Sequence, residues 1–155
     1  MSRLDHAWIA AHIPHQGRMC LLNAVQSWDA ASIVCSAASH RLPDHPLRAH
    51  GRLGAACLLE YAAQAMAVHG ALLASSPSQQ RQARPVAGML ASARALELTV
   101  ADLDSVQADL SIQAVRQHGD VRGALYEFRV HAGKQLLASG RASVLLEPAA
   151  GPATA

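Results

Sequence analysis

Aromatic side chains are scarce in this chain: two Trp, two Tyr and one Phe make up 3% of its 155 residues. Platforms for stacking bases or sugar rings are therefore few, and Ala, Leu and Val must fill the core. Charge is scarce as well. Thirteen Lys and Arg against eleven Asp and Glu leave a net charge of +2 with His neutral. The arginines are scattered rather than gathered in a stripe, which argues against a nucleic-acid partner. The three cysteines, Cys20, Cys35 and Cys57, form no CxxC and no metal-finger spacing. No GxGxxG, P-loop or Ser-centred elbow occurs, so dinucleotide binding, phosphoryl transfer and triad hydrolysis lack support. The first twelve residues hold an Asp and two His and lack the apolar run of a secretory signal. Thiols set in apolar runs fit a reducing compartment, and the expected location is the cytoplasm.

What the chain does have is one long apolar stretch, Leu53 to Leu73, LGAACLLEYAAQAMAVHGALL. Its composition predicts a helix buried on all sides. It is about long enough to span a bilayer. Glu60, Gln64 and His69 within it argue for a soluble core instead, since a carboxylate is costly in hydrocarbon. Glu60 is the lone carboxylate, and Gln64 follows one turn later on the same face. A buried acid must be paired, neutralised or used.

Around this helix the pattern predicts mostly strands. Leu4 to His12 reads as a short amphipathic helix, broken at Ile13-Pro14-His15-Gln16-Gly17. Met19 to Trp28 and Ser32 to Ala38 read as a hairpin. His40 to Arg52, with two Pro and three His, is a loop. Ala74 to Arg84 is Ser/Gln-rich and reads as a mobile segment. Val86–Leu98, Val106–Gln117, Gly123–His131 and Leu136–Leu146 complete an antiparallel meander. Residues 1–147 would form one domain and 148–155 a disordered tail. One apolar helix against about six strands predicts an α+β fold, a sheet wrapped around a central helix.

That architecture is similar to the hotdog fold, and particular residues resemble one branch of it. Ile13-Pro14-His15 followed by Met19-Cys20-Leu21-Leu22, the helix Leu58-Leu59-Glu60-Tyr61-Ala62-Ala63-Gln64-Ala65, the strand Pro85-Val86-Ala87-Gly88-Met89-Leu90 and the final Leu137-Ala138-Ser139-Gly140-Arg141-Ala142 occur in the order of the beta-hydroxyacyl-(acyl carrier protein) dehydratase family. The chain most resembles the divergent subfamily associated with aryl-polyene-type pathways. The resemblance implies reversible loss of water from a 3-hydroxyacyl thioester on acyl carrier protein or coenzyme A. It also implies a His and a Glu contributed by different subunits of a homodimer, or of a heterodimer with another hotdog subunit. Glu60 matches the helix acid. His45 is one position earlier than the family's loop histidine, counted back from Glu60. No cofactor and no metal are implied.

Dehydration needs a base at C2 and an acid for the C3 hydroxyl. A neutral imidazole suits the first task, and a carboxyl kept partly protonated by burial suits the second. His45 is thus the expected base and Glu60 the expected acid. Free N–H groups at the helix start, around Gly54 and Ala55, would bind the thioester oxygen. Gln64 would orient Glu60, and an apolar channel along the helix would hold the acyl chain. His50 is a substitute base, and His15 a bonding residue beside the site. Tyr61 reads as core or interface packing. His40, His45 and His50 recur every five residues, which sets no metal ligands on one helix face. Arg48, Arg52, Arg81 and Arg84 are available to an acidic partner. Two other readings stand beside the dehydratase: a hotdog thioesterase, and a half-site subunit that lends Glu60 to a more complete homologue.

Overall fold

The computed structural model describes residues 4–75, 86–120 and 122–148. The 148–155 tail, apart from its first residue, and most of the Ser/Gln-rich segment lie outside the described residues. Two helices, α1 (His6–His12) and α2 (Leu58–Ala74), accompany six strands: β1 (Ala24–Trp28), β2 (Ser32–Ala37), β3 (Val86–Leu98), β4 (Leu110–Gly119), β5 (Gly123–Ala132) and β6 (Gln135–Pro148). The strands form one sheet in the order β1-β2-β4-β5-β6-β3, and each neighbouring pair is antiparallel.

Period-two alternation builds the face that receives α2. Ile33, Cys35 and Ala37 of β2, Leu110, Ile112 and Ala114 of β4, and Tyr126, Phe128 and Val130 of β5 are buried. Ser111 and Gln113 between them are exposed. The facing stripe of α2 is Leu58, Tyr61, Ala62, Ala65, Val68, His69 and Leu72, the three-and-four spacing of a helix packed on one side. Each large side chain so buried contributes about 1.5–3 kcal/mol. Gly140 of β6 lets this layer close: a Cβ there would meet the Phe128 ring at 3.0 Å and the Arg94 carbonyl at 3.3 Å.

Three boundaries differ from the expectations, each for a local reason. The apolar run Met19–Trp28 is a strand only from Ala24; Gly17–Met19 is a 3-10 turn, and Leu21 is anchored by a side chain from α2 rather than by a strand. α2 begins at Leu58, five residues after Leu53, because residues 53–55 pair with the 101–103 loop instead: Leu103 N–H donates to the Leu53 carbonyl and Ala55 N–H to the Ala101 carbonyl, at 2.9 and 3.0 Å. β4 begins at Leu110, leaving Val106 in the loop. Nor is α2 buried on all sides. Leu59, Glu60, Ala63, Ala67, Gly70 and Ala71 are half-buried along its outer face. Together with the 3-10 turn before it, the helical run Ala55–Ala74 is long and apolar enough to cross a membrane by composition, but its inner stripe is spent on the sheet. β3 is a 13-residue edge strand, exposed from residue 90 to 98 with Leu90, Leu96 and Leu98 at the surface.

Candidate functional site

Glu60 stands in the first turn of α2 with its side chain 30% exposed. His15, in the loop after α1, places Nε2 2.8 Å from Glu60 Oε1. Gln64, one turn on, donates from Nε2 to the same oxygen at 3.2 Å. Gln64 is itself fixed: it also donates to the Met19 carbonyl at 2.6 Å and accepts from Leu21 N–H at 2.8 Å. Its amide is fully buried and both ends are spoken for, so it orients Glu60 and ties the 19–21 segment to α2. The His15 hydrogen bond lowers the Glu60 pKa below the usual carboxylate value. Burial opposes this, and Gln64 and the charge of His15 add to the lowering. The carboxyl expected to be kept partly protonated by burial is therefore held ionised, because its hydrogen bonds outweigh desolvation.

His45 occupies a second cluster. Its Nδ1 accepts Leu47 N–H at 3.0 Å and its Nε2 faces Tyr61 Oη at 3.1 Å. Tyr61 Oη lies 2.6 Å from Ser39 Oγ, and Ser39 donates to the Leu21 carbonyl at 2.8 Å. These bonds fix every proton. Ser39 gives its only hydrogen to Leu21, so it accepts from Tyr61. Tyr61 then accepts from His45, whose proton is on Nε2, in agreement with the occupied Nδ1. Burial lowers the His45 pKa, with Arg48 and His40 adding to the effect and Asp44 opposing it. His45 also lines a groove of about 450 Å³ with Cys20, Leu21, Ser39, Leu42 and Pro46. Arg18 and Asp44, 3.4 Å apart, stand on the walls of this groove.

The loop that carries His45 is held by Arg48, which donates to the Leu42 and His40 carbonyls at 3.0 Å each and to Asp104 at 2.7 Å. Arg41–Asp109 at 2.7 Å and Arg52–Asp102 at 3.2 Å zip the same loop to residues 102–109.

The ApeP-like family, described as ApeP dehydratase, matches residues 7–153. The chain belongs to the ApeP-like dehydratase family. Among solved structures, this ApeP-like chain is similar to the dehydratase heterocomplex ApeI:P from Xenorhabdus doucetiae, with 22% identity, 91% of each chain covered and a TM-score of 0.79. A mutant thioesterase from Pseudomonas aeruginosa shares 13% identity over 93% of this chain and 94% of its own, with a TM-score of 0.61. A hypothetical thioesterase with coenzyme A from Streptococcus pneumoniae shares 10% identity over 80% and 84%, with a TM-score of 0.53. These likenesses give the α+β hotdog fold, the antiparallel sheet around a long helix. No curated protein matches the chain in sequence.

Within the ApeP-like chain, the structure brings Glu60 and Gln64 together and adds His15 as a direct partner. No hydrogen bond joins Glu60 to His45 within one chain, and neither Glu60 nor His15 is on the wall of the groove. The groove lies between the 17–23 segment and the 38–46 loop rather than along α2. Both Gly54 and Ala55 precede α2, and of the two Ala55 gives its N–H to the Ala101 carbonyl rather than leaving it free. His50 is exposed at the tip of a two-residue turn with Gly51, both at positive φ (54° and 75°), closed by Ala49 and Arg52. Arg48 and Arg52 are engaged by aspartates; Arg81 and Arg84 lie outside the described residues. Among the described residues no group of His, Cys, Asp and Glu is arranged to hold a metal. Sequence reasoning missed Tyr61 and Ser39 as partners of His45. A Tyr directly after the helix acid was the available signal, but nothing in its spacing separates a buried hydroxyl with partners from plain packing.

Proposed function

We propose that this ApeP-like chain takes part in removing water from 3-hydroxyacyl thioesters carried by acyl carrier protein or coenzyme A, in the cytoplasm, in a fatty-acid-like or polyene-forming pathway. The observation that supports this reading is the half-exposed Glu60 carboxylate, anchored through Oε1 by His15 and Gln64. Its Oε2 has no protein partner among the described residues and is the atom left for chemistry. On this reading Oε2 takes the C2 proton, and the electron pair moves into the thioester as enolate character. When the carbonyl reforms, C2=C3 forms and the C3–O bond breaks. The carboxyl returns its proton to the departing hydroxyl, which leaves as water. Glu60 thus begins as the proton acceptor, not the acid.

A second subunit completes the site in this proposal. The half-exposed face of α2 and the β3 edge are the surfaces it would cover, as a homodimer or with another hotdog chain; the ApeI:P structure is a heterocomplex. The state of His45 favours the half-site variant of this reading. With Nδ1 accepting from Leu47 and Nε2–H given to Tyr61, the ring has no free lone pair with which to act as a base.

The test is turnover of a carrier-bound 3-hydroxyacyl thioester by the purified chain, followed by mass spectrometry. Loss of water that Glu60→Gln abolishes supports a self-sufficient dehydratase. Loss of turnover in a folded His45→Ala variant would restore His45 as the base, whereas unchanged turnover removes it. Release of free acid means a thioesterase. No reaction until a second hotdog subunit is added supports the half-site.

A further inference from the structure

We propose that His15 is the positioning residue of the site: its Nε2–H, committed to Glu60, holds the carboxylate aimed and charged so that Oε2 faces the reacting carbon. The catalytic half of this statement rests on the dehydratase reading above.

The inference comes from comparing the three buried histidines, His40, His45 and His69, with the half-buried His15. His69 spends both ring nitrogens on the fold, one on Tyr126 and one on the Asp29 carbonyl. His45 spends both as well, on Leu47 and Tyr61. His40 reaches the Val106 carbonyl, so it ties one loop to another. His15 is different. Its polar contact is with a carboxylate rather than with backbone, and its Nδ1, like that of His40, is buried without a partner. It fastens no backbone to any other.

The unpartnered Nδ1 also decides where the proton sits. With Nε2 2.8 Å from Glu60 Oε1 and Nδ1 facing no partner, Nε2–H is the donor the ring presents to the site. A second donor, Gln64, meets the same Oε1. Two donors on one oxygen favour the ionised carboxyl and leave the other oxygen to accept. The other groups around Glu60 do not compete. Arg18, on the turn after His15, is directed to Asp44. Cys57, one turn back toward the helix start, has its thiol pushed up to about 12 by burial and stays neutral.

The experiment is a carboxyl titration read by 13C NMR on glutamate-labelled full-length protein, with Glu60 assigned from its disappearance in Glu60→Gln. Wild type is compared with His15→Leu, which removes the donor, and His15→Gln, whose amide nitrogen restores one near the Nε2 position. The Leu variant is expected to raise the Glu60 midpoint by about one pH unit, a tenfold change in acid constant, and the Gln variant to recover most of it. If the Leu variant does not fold, His15→Asn, whose amide stops short of Glu60, takes its place. Where turnover is measurable, kcat/KM should fall about a hundredfold in the Leu variant, with the acid limb of its pH profile moved upward. A midpoint that stays put while thermal stability drops would make His15 structural and overturn the proposal. A moved midpoint in a protein that dehydrates nothing, even with a second hotdog subunit added, would keep the positioning role and defeat the dehydratase reading.

Discussion

The two ends of α2 each carry a histidine cluster, and the clusters are built to opposite ends. At the far end His69 is fully buried, its Nδ1 2.7 Å from Tyr126 Oη and its Nε2 2.7 Å from the Asp29 carbonyl. Every polar atom has a partner, and three elements (the β1–β2 turn, α2 and β5) are fastened together. At the near end His15 and Glu60 are 23% and 30% exposed, one ring nitrogen is unpartnered and one carboxylate oxygen is left over. Satisfied networks hold a fold, whereas unfinished ones are where a substrate can complete the bonding. The presence of a His–acid or His–Tyr pair therefore does not mark the site. A half-exposed carboxylate with one oxygen left over does.

Glu60→Gln should break the near cluster most severely. Turnover should fall by about 10²–10⁴-fold, measured by mass spectrometry of the thioester product, while the unfolding midpoint stays close to wild type. A Gln at this position keeps the volume and the bond to His15. Comparable turnover in the variant would remove Glu60 from the chemistry and with it the contrast between the two ends.

His69→Leu should do the reverse. It leaves the Tyr126 hydroxyl and the Asp29 carbonyl without their partner in a buried place, at about 1–3 kcal/mol for each group. Urea unfolding should show a loss of about 3 kcal/mol, and turnover per folded molecule should be retained. Lost turnover at unchanged stability would mean that the far cluster also serves the reaction.

Acid should find the buried histidines before the carboxylates. Burial lowers the pKa of His69, His40 and His45. Below the unfolded value of about 6.5 the unfolded chain binds protons that the folded chain refuses, so stability falls with pH in that window and levels off below the folded values. Glu60, Asp29 and Asp104 are lowered. Their contribution persists down to about pH 4 and is lost only below it, as pH falls through their folded values. The expected stability profile has two descents, the first up to about 1.4 kcal/mol per pH unit for each histidine. His69→Leu should make the first descent shallower, with His40 and His45 keeping the rest, and leave the second. A single descent near pH 4 would show that these histidines are not neutral in the fold.

Much of this could be read from the chain itself, and the misses share a cause. The helix LLEYAAQAMAVHG and the alternation of Leu110, Ile112 and Ala114 carry their periods on the surface of the sequence. Glu60 and Gln64 stand out because polar groups in an apolar helix need partners. The run from Met19 misled because an extended segment fastened by one buried side chain, Gln64, has the same apolar look as a strand. The helix start misled because Leu53–Cys57 is as apolar as the helix but pairs with a loop about fifty residues away. Proton direction was the least legible of all. It depends on Leu47 N–H, the Leu21 carbonyl and Ser39 converging on His45 and Tyr61 from different parts of the fold, and no spacing encodes it.

Tyr61→Phe tests that convergence with the smallest expected effect. The substitution removes one hydroxyl, and with it the bonds to Ser39 and His45. The two partners remain, but neither is stranded badly: Ser39 still donates to Leu21, and His45 still receives Leu47 N–H. The cost should be about 1 kcal/mol, the net worth of an ordinary hydrogen bond, against about 3 kcal/mol at His69. The informative reading is chemical. With Tyr61 gone, His45 Nε2–H loses its acceptor while Nδ1 remains occupied, so the ring keeps the same tautomer, and 15N NMR of the imidazole should show an unprotonated Nδ1 in wild type and variant alike. A change of tautomer in the variant would mean that Tyr61, and not the Leu47 backbone, sets the proton on His45. The middle of α2 would then belong with its unfinished near end rather than with the closed cluster at His69.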